Sequence, residues 1–239
     1  MVQSRISTRP VCVVVGAGPG NGAAFARRFA ADGYAVAVLA RDFDRLSTMA
    51  SDIPGAQAFE CDVSDSGSVD AAFTAIARDL GDVNVLIYNA GKGAWGDALS
   101  VSQADFESAW RVGAYGAFST TRYVLPAMKK AGAGTIIFIG ATASRRGSAN
   151  STAFAAAKAA QRSLAESLAR AYGPDGVHVS LLIIDAVVSE PVMREKLAGY
   201  PDEFFCDPAD IAETALMLTH QPSSAWTFEL DIRPFGEKW

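Results

Sequence analysis

A glycine-rich stretch near the start of the chain has the composition of a turn that binds phosphate groups. The apolar run Val11–Val15 leads into Gly16-Ala-Gly-Pro-Gly-Asn-Gly22, and an alanine-rich segment follows. Glycine residues allow a sharp turn, a close approach of the backbone to a pyrophosphate group and close packing of the next helix on its strand. The unpaired N–H groups at the start of that helix would then face the phosphates. We therefore expect a nucleotide site here, with an ordinary loop as the alternative.

Three polar residues further along the chain could act in acid–base chemistry or hold a ligand. Lys158 lies four residues after Phe154 in a segment of helical composition, and residues at this spacing share one face of a helix. Ser144 and Asp185 each follow an apolar run. A carboxyl group in such a position could act as an acid or a base, although Asp185 could instead cap the turn that follows it. For Lys158 the alternative is an exposed lysine on the surface of a helix.

The elements that must position these residues alternate along the chain. Short β-branched runs predict strands at residues 11–15, 35–39, 56–60, 83–88, 135–139, 177–184 and 226–231. Alanine-rich segments between them predict helices at residues 20–32, 43–51, 66–80, 103–130, 152–172 and 207–220. This alternation predicts an α/β fold, a doubly wound parallel sheet of about seven strands with helices on both faces. No linker divides the chain, so we expect one domain over residues 1–239. The irregular segment 189–206 is a candidate substrate lid, with a solvated loop as the alternative.

The composition restricts the classes of partner that the chain can have. It has 239 residues, of which 50% are hydrophobic and 20% are charged, with a formal net charge of −5. An acidic balance disfavours nucleic acids and anionic membrane surfaces, and no apolar run approaches the roughly 20 residues of a membrane span. The three cysteines form no CxxC pair, which suits a cytoplasmic protein. The two histidines have no partner motif, so we expect no metal site.

Three motifs in order along the chain resemble the fingerprint of the short-chain dehydrogenase/reductase family. They are the glycine spacing Gly16-x3-Gly20-x-Gly22, the triplet Cys61-Asp62-Val63 after the third strand, and Tyr88-Asn89-Ala90-Gly91 after the fourth. The resemblance covers nearly the whole chain and implies a Rossmann fold that binds a nicotinamide dinucleotide. The positions at which it implies contacts with this cofactor are Gly16, Gly18, Gly20, Asn21, Gly22, Asp62, Val63, Asn89, Ala90, Gly91, Lys158 and Ser189.

The residue at the end of the second strand bears on which dinucleotide is bound. Relatives that prefer NAD carry a carboxylate there, which bonds the ribose hydroxyl groups and repels a 2′-phosphate. This chain has Ala40 at that position, followed by Arg41, and a guanidinium group suits phosphate binding. The pattern predicts NADP as the cofactor. NAD is the alternative, because Asp42 would meet the ribose if the alignment were shifted by one residue.

The catalytic residues that the resemblance implies are largely replaced in this chain. In the family, a Tyr four residues before the lysine exchanges a proton with the substrate, a Ser binds the carbonyl group and an Asn holds a water relay. The matching positions are Phe154, Ala141 and Gly113. Phenylalanine cannot exchange a proton and alanine cannot hydrogen-bond an oxyanion, so ordinary carbonyl reduction should be slow. The remaining candidate catalytic residues are Lys158, which would also hold the ribose, Asp185 and Ser144.

These residues favour an NADP(H)-binding oxidoreductase with a non-standard active site and a small-molecule substrate. Reduction of an activated C=C or C=N bond is compatible with such a site, because water or the substrate could supply the proton. One alternative is a protein that binds the cofactor without turnover, as a sensor or as an inactive partner in an oligomer. Another is a non-redox lyase or isomerase that uses Asp185 or Ser144. Resemblance to the family also implies that the helix 152–172 pairs across a two-fold axis, giving a homodimer or a homotetramer.

Overall fold

The computed structural model describes residues 9–237, and seven strands within that range form one parallel sheet. The strands of the described range are β1 (Val11–Val15), β2 (Ala35–Ala40), β3 (Ala56–Glu60), β4 (Val83–Tyr88), β5 (Gly134–Ala141), β6 (Val177–Ile184), β7 (Val187–Val188), β8 (Phe205–Cys206) and β9 (Glu229–Ile232). The order in the sheet is β3-β2-β1-β4-β5-β6-β9, and β7 pairs separately with β8. The predicted doubly wound α/β fold is confirmed.

The helices lie between the strands, and four of the eight in residues 9–237 begin at a side chain that caps them. Those in residues 9–237 are α1 (Asn21–Ala31), α2 (Phe43–Ser51), α3 (Ser66–Asp79), α4 (Gln103–Trp110), α5 (Gly116–Ala131), α6 (Thr152–Tyr172), α7 (Pro191–Lys196) and α8 (Pro208–Thr219). Side chains that accept a backbone N–H bond at the start of a helix are Asp42, Asp65, Ser102 and Asp207. Of the helices in this described range, none is long and apolar enough to cross a membrane.

Two apolar clusters, one on each face of the sheet, form the core. Side chains of β1 alternate between them, so that Val13 and Val15 belong to one cluster and Cys12 and Val14 to the other. The first cluster includes side chains of α3, α5 and α6, and the second includes side chains of α1, α2 and α8. Because helices cover both faces, the central strands are apolar almost throughout.

The strand order reverses beside β1, and this reversal produces a crevice at one edge of the sheet. β1 pairs with β2 on one side and with β4 on the other. Ligands bind beyond the carboxyl ends of the strands at such a reversal. The glycine-rich turn that follows β1 and the Asn89-Ala90-Gly91 motif that follows β4 meet at this point.

The predicted helix 103–130 is interrupted in the structure. It is observed as α4 and α5, with a π-helical turn at Arg111–Tyr115 between them. In this turn the carbonyl groups of Val112 and Gly113 accept hydrogen bonds from the side chains of Tyr88 and Gln161, respectively. Side chains from outside the helix thus satisfy acceptors that a regular helix would pair internally.

The last strand begins later than the sequence predicts. The prediction is residues 226–231, whereas β9 spans Glu229–Ile232. The ring of Trp226 stacks on His178 with 4.8 Å between ring centroids, and the N–H of Thr227 donates to the side chain of Gln221 at 2.8 Å. These contacts take up the backbone donor that strand pairing would require at this position.

The segment 189–206 lies outside the seven-stranded sheet. It contains the short helix α7 and ends at β8, whose residues pair with those of β7. Its assignment as a substrate lid stays a prediction, as does the assignment of one domain to residues 1–239.

Candidate functional site

The turn after β1 requires glycine at two positions for steric reasons. Gly16 has a φ of +83°, which L-residues rarely adopt, and a Cβ there would lie 2.6 Å from Cα of Ala90. A Cβ at Gly22 would lie 2.5 Å from Cα of Ala17, where α1 packs against the turn. The first residues of α1, whose N–H groups lack acceptors within the helix, therefore border the crevice directly.

A cavity of about 430 Å³ lies between this turn and the ends of β2, β3 and β4. Most residues predicted to contact a cofactor line it, namely Gly16, Gly18, Gly20, Asn21, Gly22, Arg41, Asp62, Val63, Asn89, Ala90 and Gly91. Of the described residues that were predicted as cofactor contacts, Lys158 and Ser189 are not in its wall. Lys92, Val112 and Glu190 are in the wall and were not predicted. The structure thus brings the three sequence motifs together in one cavity.

Two asparagine side chains at this cavity differ in their hydrogen bonding. Asn89 donates from Nδ2 to the carbonyl oxygen of Gly16 at 2.8 Å, so it ties the end of β4 to the turn. The side chain of Asn21 is buried, and within residues 9–237 its Oδ1 has no hydrogen-bond partner. A buried acceptor without a partner costs free energy, which a ligand that donates a hydrogen bond would recover. The unpaired acceptor and the glycine turn together fit a bound dinucleotide.

Asp62 is held as a carboxylate at the end of β3. Its Oδ1 accepts hydrogen bonds from the Ser64 hydroxyl at 2.7 Å and from the Ser64 N–H at 2.9 Å. The Ser64 hydroxyl, helped by the positive charge of Arg41, lowers the pKa of Asp62 below its ordinary value. The carboxyl group therefore stays ionised at neutral pH and presents an acceptor at the cavity wall.

The residues after β2 give this side of the cavity a positive charge. Arg41 is exposed, and together with Arg27 and Arg45 it also lines an adjoining cavity. Asp42 is engaged elsewhere, because its carboxylate accepts the N–H of Arg45 at 3.2 Å as the cap of α2. Arg41 lines the main cavity next to the end of β2, whereas Asp42 lines only the adjoining one. Sequence reasoning identified Arg41 but missed the other two arginines.

Lys158 is buried behind Gly91 and is bonded to protein acceptors. The residue is only 6% exposed, and its Nζ would lie 3.8 Å from a Cβ added at Gly91. Nζ donates to the carbonyl oxygen of Ile139 at 2.7 Å and to Oε1 of Gln161 at 3.2 Å. Gln161 in turn donates from Nε2 to the carbonyl oxygen of Gly113 at 3.1 Å, in the π-helical turn. Burial lowers the pKa of Lys158 to about 8.

An aromatic pair occupies the surface one helical turn before this lysine. The ring of Phe154 lies 5.0 Å from the ring of Trp95, measured between centroids, and Trp95 is 68% exposed. The loop that carries Trp95 is fixed by the N–H of Gly96, which donates to the carbonyl oxygen of Asn150 at 2.9 Å. The side chain four residues before Lys158 therefore contributes an apolar surface and no hydroxyl group.

Gly113 is required by close packing between the π-helical turn and α6. A Cβ at Gly113 would lie 2.9 Å from Cβ of Ala157. Beside this contact, Ala109, Ala153 and Ala157 form a small buried cluster between α4 and α6. An asparagine at position 113 would collide with α6 unless the two helices separated. Small residues of α6 thus serve a contact within the chain, and the predicted pairing of this helix across a two-fold axis stays a prediction.

The predicted catalytic residues Ser144 and Asp185 both have protein partners. The buried Ser144 accepts the N–H of Ala141 at 3.1 Å through its Oγ, which closes the turn after β5. Asp185 accepts a hydrogen bond from the Thr142 hydroxyl and lies 3.6 Å from the guanidinium group of Arg233. These contacts join the ends of β5, β6 and β9, and the catalytic roles of Ser144 and Asp185 stay predictions.

Ser189 and its neighbour Glu190 differ in their position relative to the cavity, and the cofactor contact of Ser189 stays a prediction. Ser189 accepts a hydrogen bond from Nε of Arg194 at 2.8 Å. Glu190, the next residue, lines the cavity beside the glycine turn. No pattern in the sequence singled out Glu190 or the buried Gln161, because each contacts residues that lie far away along the chain.

The chain is similar over nearly its full length to known oxidoreductases. A family model described as short chain dehydrogenase matches residues 10–198. The chain is 32% identical over 220 residues to 3-oxoacyl-(acyl-carrier-protein) reductase MabA of Mycobacterium tuberculosis, covering 89% of this chain and 86% of that protein. Its structure is similar to that of a metagenomic short-chain oxidoreductase in complex with NADP, with a TM-score of 0.82, 28% identity and coverage of 95% and 98%. An alcohol dehydrogenase from the archaeon Thermococcus sibiricus, complexed with 5-hydroxy-NADP, gives a TM-score of 0.85 at 29% identity and coverage of 96% and 98%.

Proposed function

The chain belongs to the short-chain dehydrogenase family, and we propose that it is an NADP(H)-binding oxidoreductase that works without a catalytic phenol. The glycine turn and the first N–H groups of α1 would hold the pyrophosphate group of the dinucleotide, and the unpaired Oδ1 of Asn21 would accept a hydrogen bond from a ribose hydroxyl group. Asp62 and Val63 would hold the adenine, and Asn89, Ala90 and Gly91 would line the path toward the nicotinamide.

Arg41 would select the phosphorylated form of the cofactor. It borders both the main cavity and the adjoining cavity that contains Arg27 and Arg45, so a 2′-phosphate there would meet positive charge. Asp42 is not among the residues that line the main cavity, and one oxygen of its carboxylate caps α2. The metagenomic relative and the archaeal alcohol dehydrogenase are both complexes with NADP or a derivative of it, which supports the same choice here.

The proposed reaction type rests on Phe154, the residue one helical turn before Lys158. Bound NADPH would supply a hydride. Phe154 has no proton to give and packs on Trp95, while Ala141 has no hydroxyl to bind an oxyanion. The site therefore suits an activated C=C or C=N bond, whose reduction can take its proton from water, better than an isolated ketone. An apolar surface and a correctly placed hydride donor would suffice for such a substrate.

Binding without turnover is a second candidate function. The buried Lys158 is satisfied by Ile139 and Gln161, an arrangement that holds the side chain on the protein even without a reacting partner. A cofactor sensor or an inactive partner in a hetero-oligomer would need the cavity and nothing more. A lyase or isomerase that used Asp185 or Ser144 is less well supported, because both side chains are engaged in contacts between strand ends.

Three further assignments belong to the same proposal. Segment 189–206 would cover the substrate, the chain would form a homodimer or a homotetramer, and the protein would act in the cytoplasm on a small molecule. The first is supported by Glu190, which belongs to this segment and lines the cavity.

A fluorescence titration tests the cofactor assignment. NADPH and NADH are added separately to the purified protein, and we expect saturable binding with a lower Kd for NADPH. A tighter Kd for NADH would overturn the assignment of Arg41, and no binding of either dinucleotide at millimolar concentration would overturn the proposed function.

A substrate panel then separates the two candidate functions. Ketones, imines and activated alkenes are supplied with NADPH while the absorbance of the reduced cofactor is followed. Consumption with alkenes or imines supports the oxidoreductase. A protein that binds NADPH but consumes none with any class is the non-catalytic binder.

A further inference from the structure

Glu190 reaches from the segment after β6 into the glycine turn. A Cβ added at Gly20 would lie 2.5 Å from Cγ and from Cδ of Glu190, and closer still to its Oε1. The carboxyl group of Glu190 therefore occupies the space that a side chain at position 20 would fill. Gly20 and Glu190 line the same cavity, so the carboxylate is in the proposed cofactor site.

The backbone around Glu190 is well constrained. Its N–H donates to the carbonyl oxygen of Val188 at 2.8 Å, and its own carbonyl accepts the N–H groups of Met193 and Arg194 at 2.9 and 2.8 Å. Arg194 is fixed in turn, since its guanidinium carbon lies 4.0 Å from the centroid of the Phe205 ring. The position of Glu190 over the turn is therefore set by the fold of its segment.

The charge of Glu190 matches the place that it occupies. Gly20 directly precedes α1, an 11-residue helix whose first N–H groups form a favourable environment for an anion. Within residues 9–237, no side chain forms an ion pair or a hydrogen bond with the Glu190 carboxylate. The carboxylate lies against Gly20, directly before the start of α1.

We propose that Glu190 is an internal competitor for the phosphate-binding turn, so that dinucleotide binding requires its carboxylate to leave Gly20. This inference rests on the proposed function. A carboxylate and a pyrophosphate group cannot share the turn, because two anions in contact repel each other strongly where water is scarce. Glu190 directly precedes α7, so its side chain connects the segment 189–206 to the turn. Glu190 would therefore set the cofactor affinity.

The test compares variants that remove the charge with a matched control. Glu190→Gln keeps the size of the side chain and removes the charge, and Glu190→Ala removes both. Glu195→Gln makes the same change of charge at an exposed position of α7, five residues further along the chain. Kd is measured for NADPH by fluorescence, and for inorganic pyrophosphate by its competition with NADPH. Thermal unfolding of each variant confirms that the protein is folded.

We expect both Glu190 variants to bind NADPH and pyrophosphate at least about tenfold more tightly than the wild type, because a repulsive contact has been removed. Glu195→Gln should stay close to the wild type.

Equal or weaker binding by the Glu190 variants, with NADPH binding by the wild type intact, would overturn this inference and leave the proposed function standing. If neither the wild type nor the folded Glu190 variants bind NADPH, the proposed function and this inference are both wrong.

Discussion

Replacing Lys158 by Met should change how the stability of the protein depends on pH. Burial lowers the pKa of this lysine to about 8 from an ordinary value of 10.5. Between these values the unfolded chain binds more protons than the folded one, so the free energy of unfolding rises with pH. From pH 7 to pH 10 the wild type should gain about 2 to 3 kcal/mol relative to Lys158→Met, at 1.36 kcal/mol per pKa unit. The free-energy cost of burying the protonated lysine lowers the stability of the folded protein fully below pH 8, and this cost disappears above pH 10.5.

Urea unfolding of both proteins at several pH values between 7 and 10 measures this difference. Groups that titrate in both proteins cancel, because only the difference between the two free energies is used. Lys130→Met, on the exposed surface of α5, controls for the loss of one positive charge. A difference that stayed constant across the range would refute the reasoning, since it would mean that Lys158 keeps its proton equally well in the folded and the unfolded chain.

Three other substitutions test the site from different sides. Gly22→Ala should lower the free energy of unfolding by about 1–3 kcal/mol, because its Cβ would meet Ala17 at 2.5 Å. Gly18→Ala is the control, since a Cβ there meets nothing within 4 Å; equal thermal shifts would contradict the packing argument. Arg41→Ala should raise the Kd for NADPH by about tenfold or more and leave that for NADH unchanged, and an equal change for both would exclude a 2′-phosphate contact. Gln161→Leu should lower the free energy of chemical unfolding by about 1–3 kcal/mol, because it leaves the carbonyl group of Gly113 unpaired. A variant as stable as the wild type would mean that this hydrogen bond contributes nothing to stability.

The fold and the cavity beside the glycine turn could be predicted because local patterns determine them. The apolar strands and the alanine-rich helices follow the periodicity of the sequence, and the observed sheet has the predicted class. The glycine turn could be predicted because only glycine fits at Gly16 and Gly22, where a Cβ would collide with neighbouring backbone atoms. Arg41 was identified for a similar reason, since its place directly after β2 puts it at the cavity.

The rest of the site depends on contacts that no local pattern records. Glu190 contacts Gly20, which is 170 residues away along the chain, so the sequence alone does not show this contact. Gln161 is one polar residue on a helix that has many, and only the structure pairs it with both Lys158 and the π-helical turn. The interruption of the long helix 103–130 was missed for the same reason, because Tyr88 and Gln161 stabilise it from outside.

The central claim is that the missing phenol of Phe154 removes ordinary carbonyl reduction while the cofactor site remains. Its most direct test is the rate of NADPH consumption with a ketone, compared between the wild type and the double variant Phe154→Tyr/Ala141→Ser. Thermal unfolding and NADPH titration establish that the variant is folded and binds the cofactor. We predict almost no consumption by the wild type and a gain of at least about tenfold in the double variant, because a positioned proton donor accelerates such reactions by roughly 10²–10⁴. Rapid ketone reduction by the wild type, or no gain in a folded variant that binds NADPH, would contradict the account.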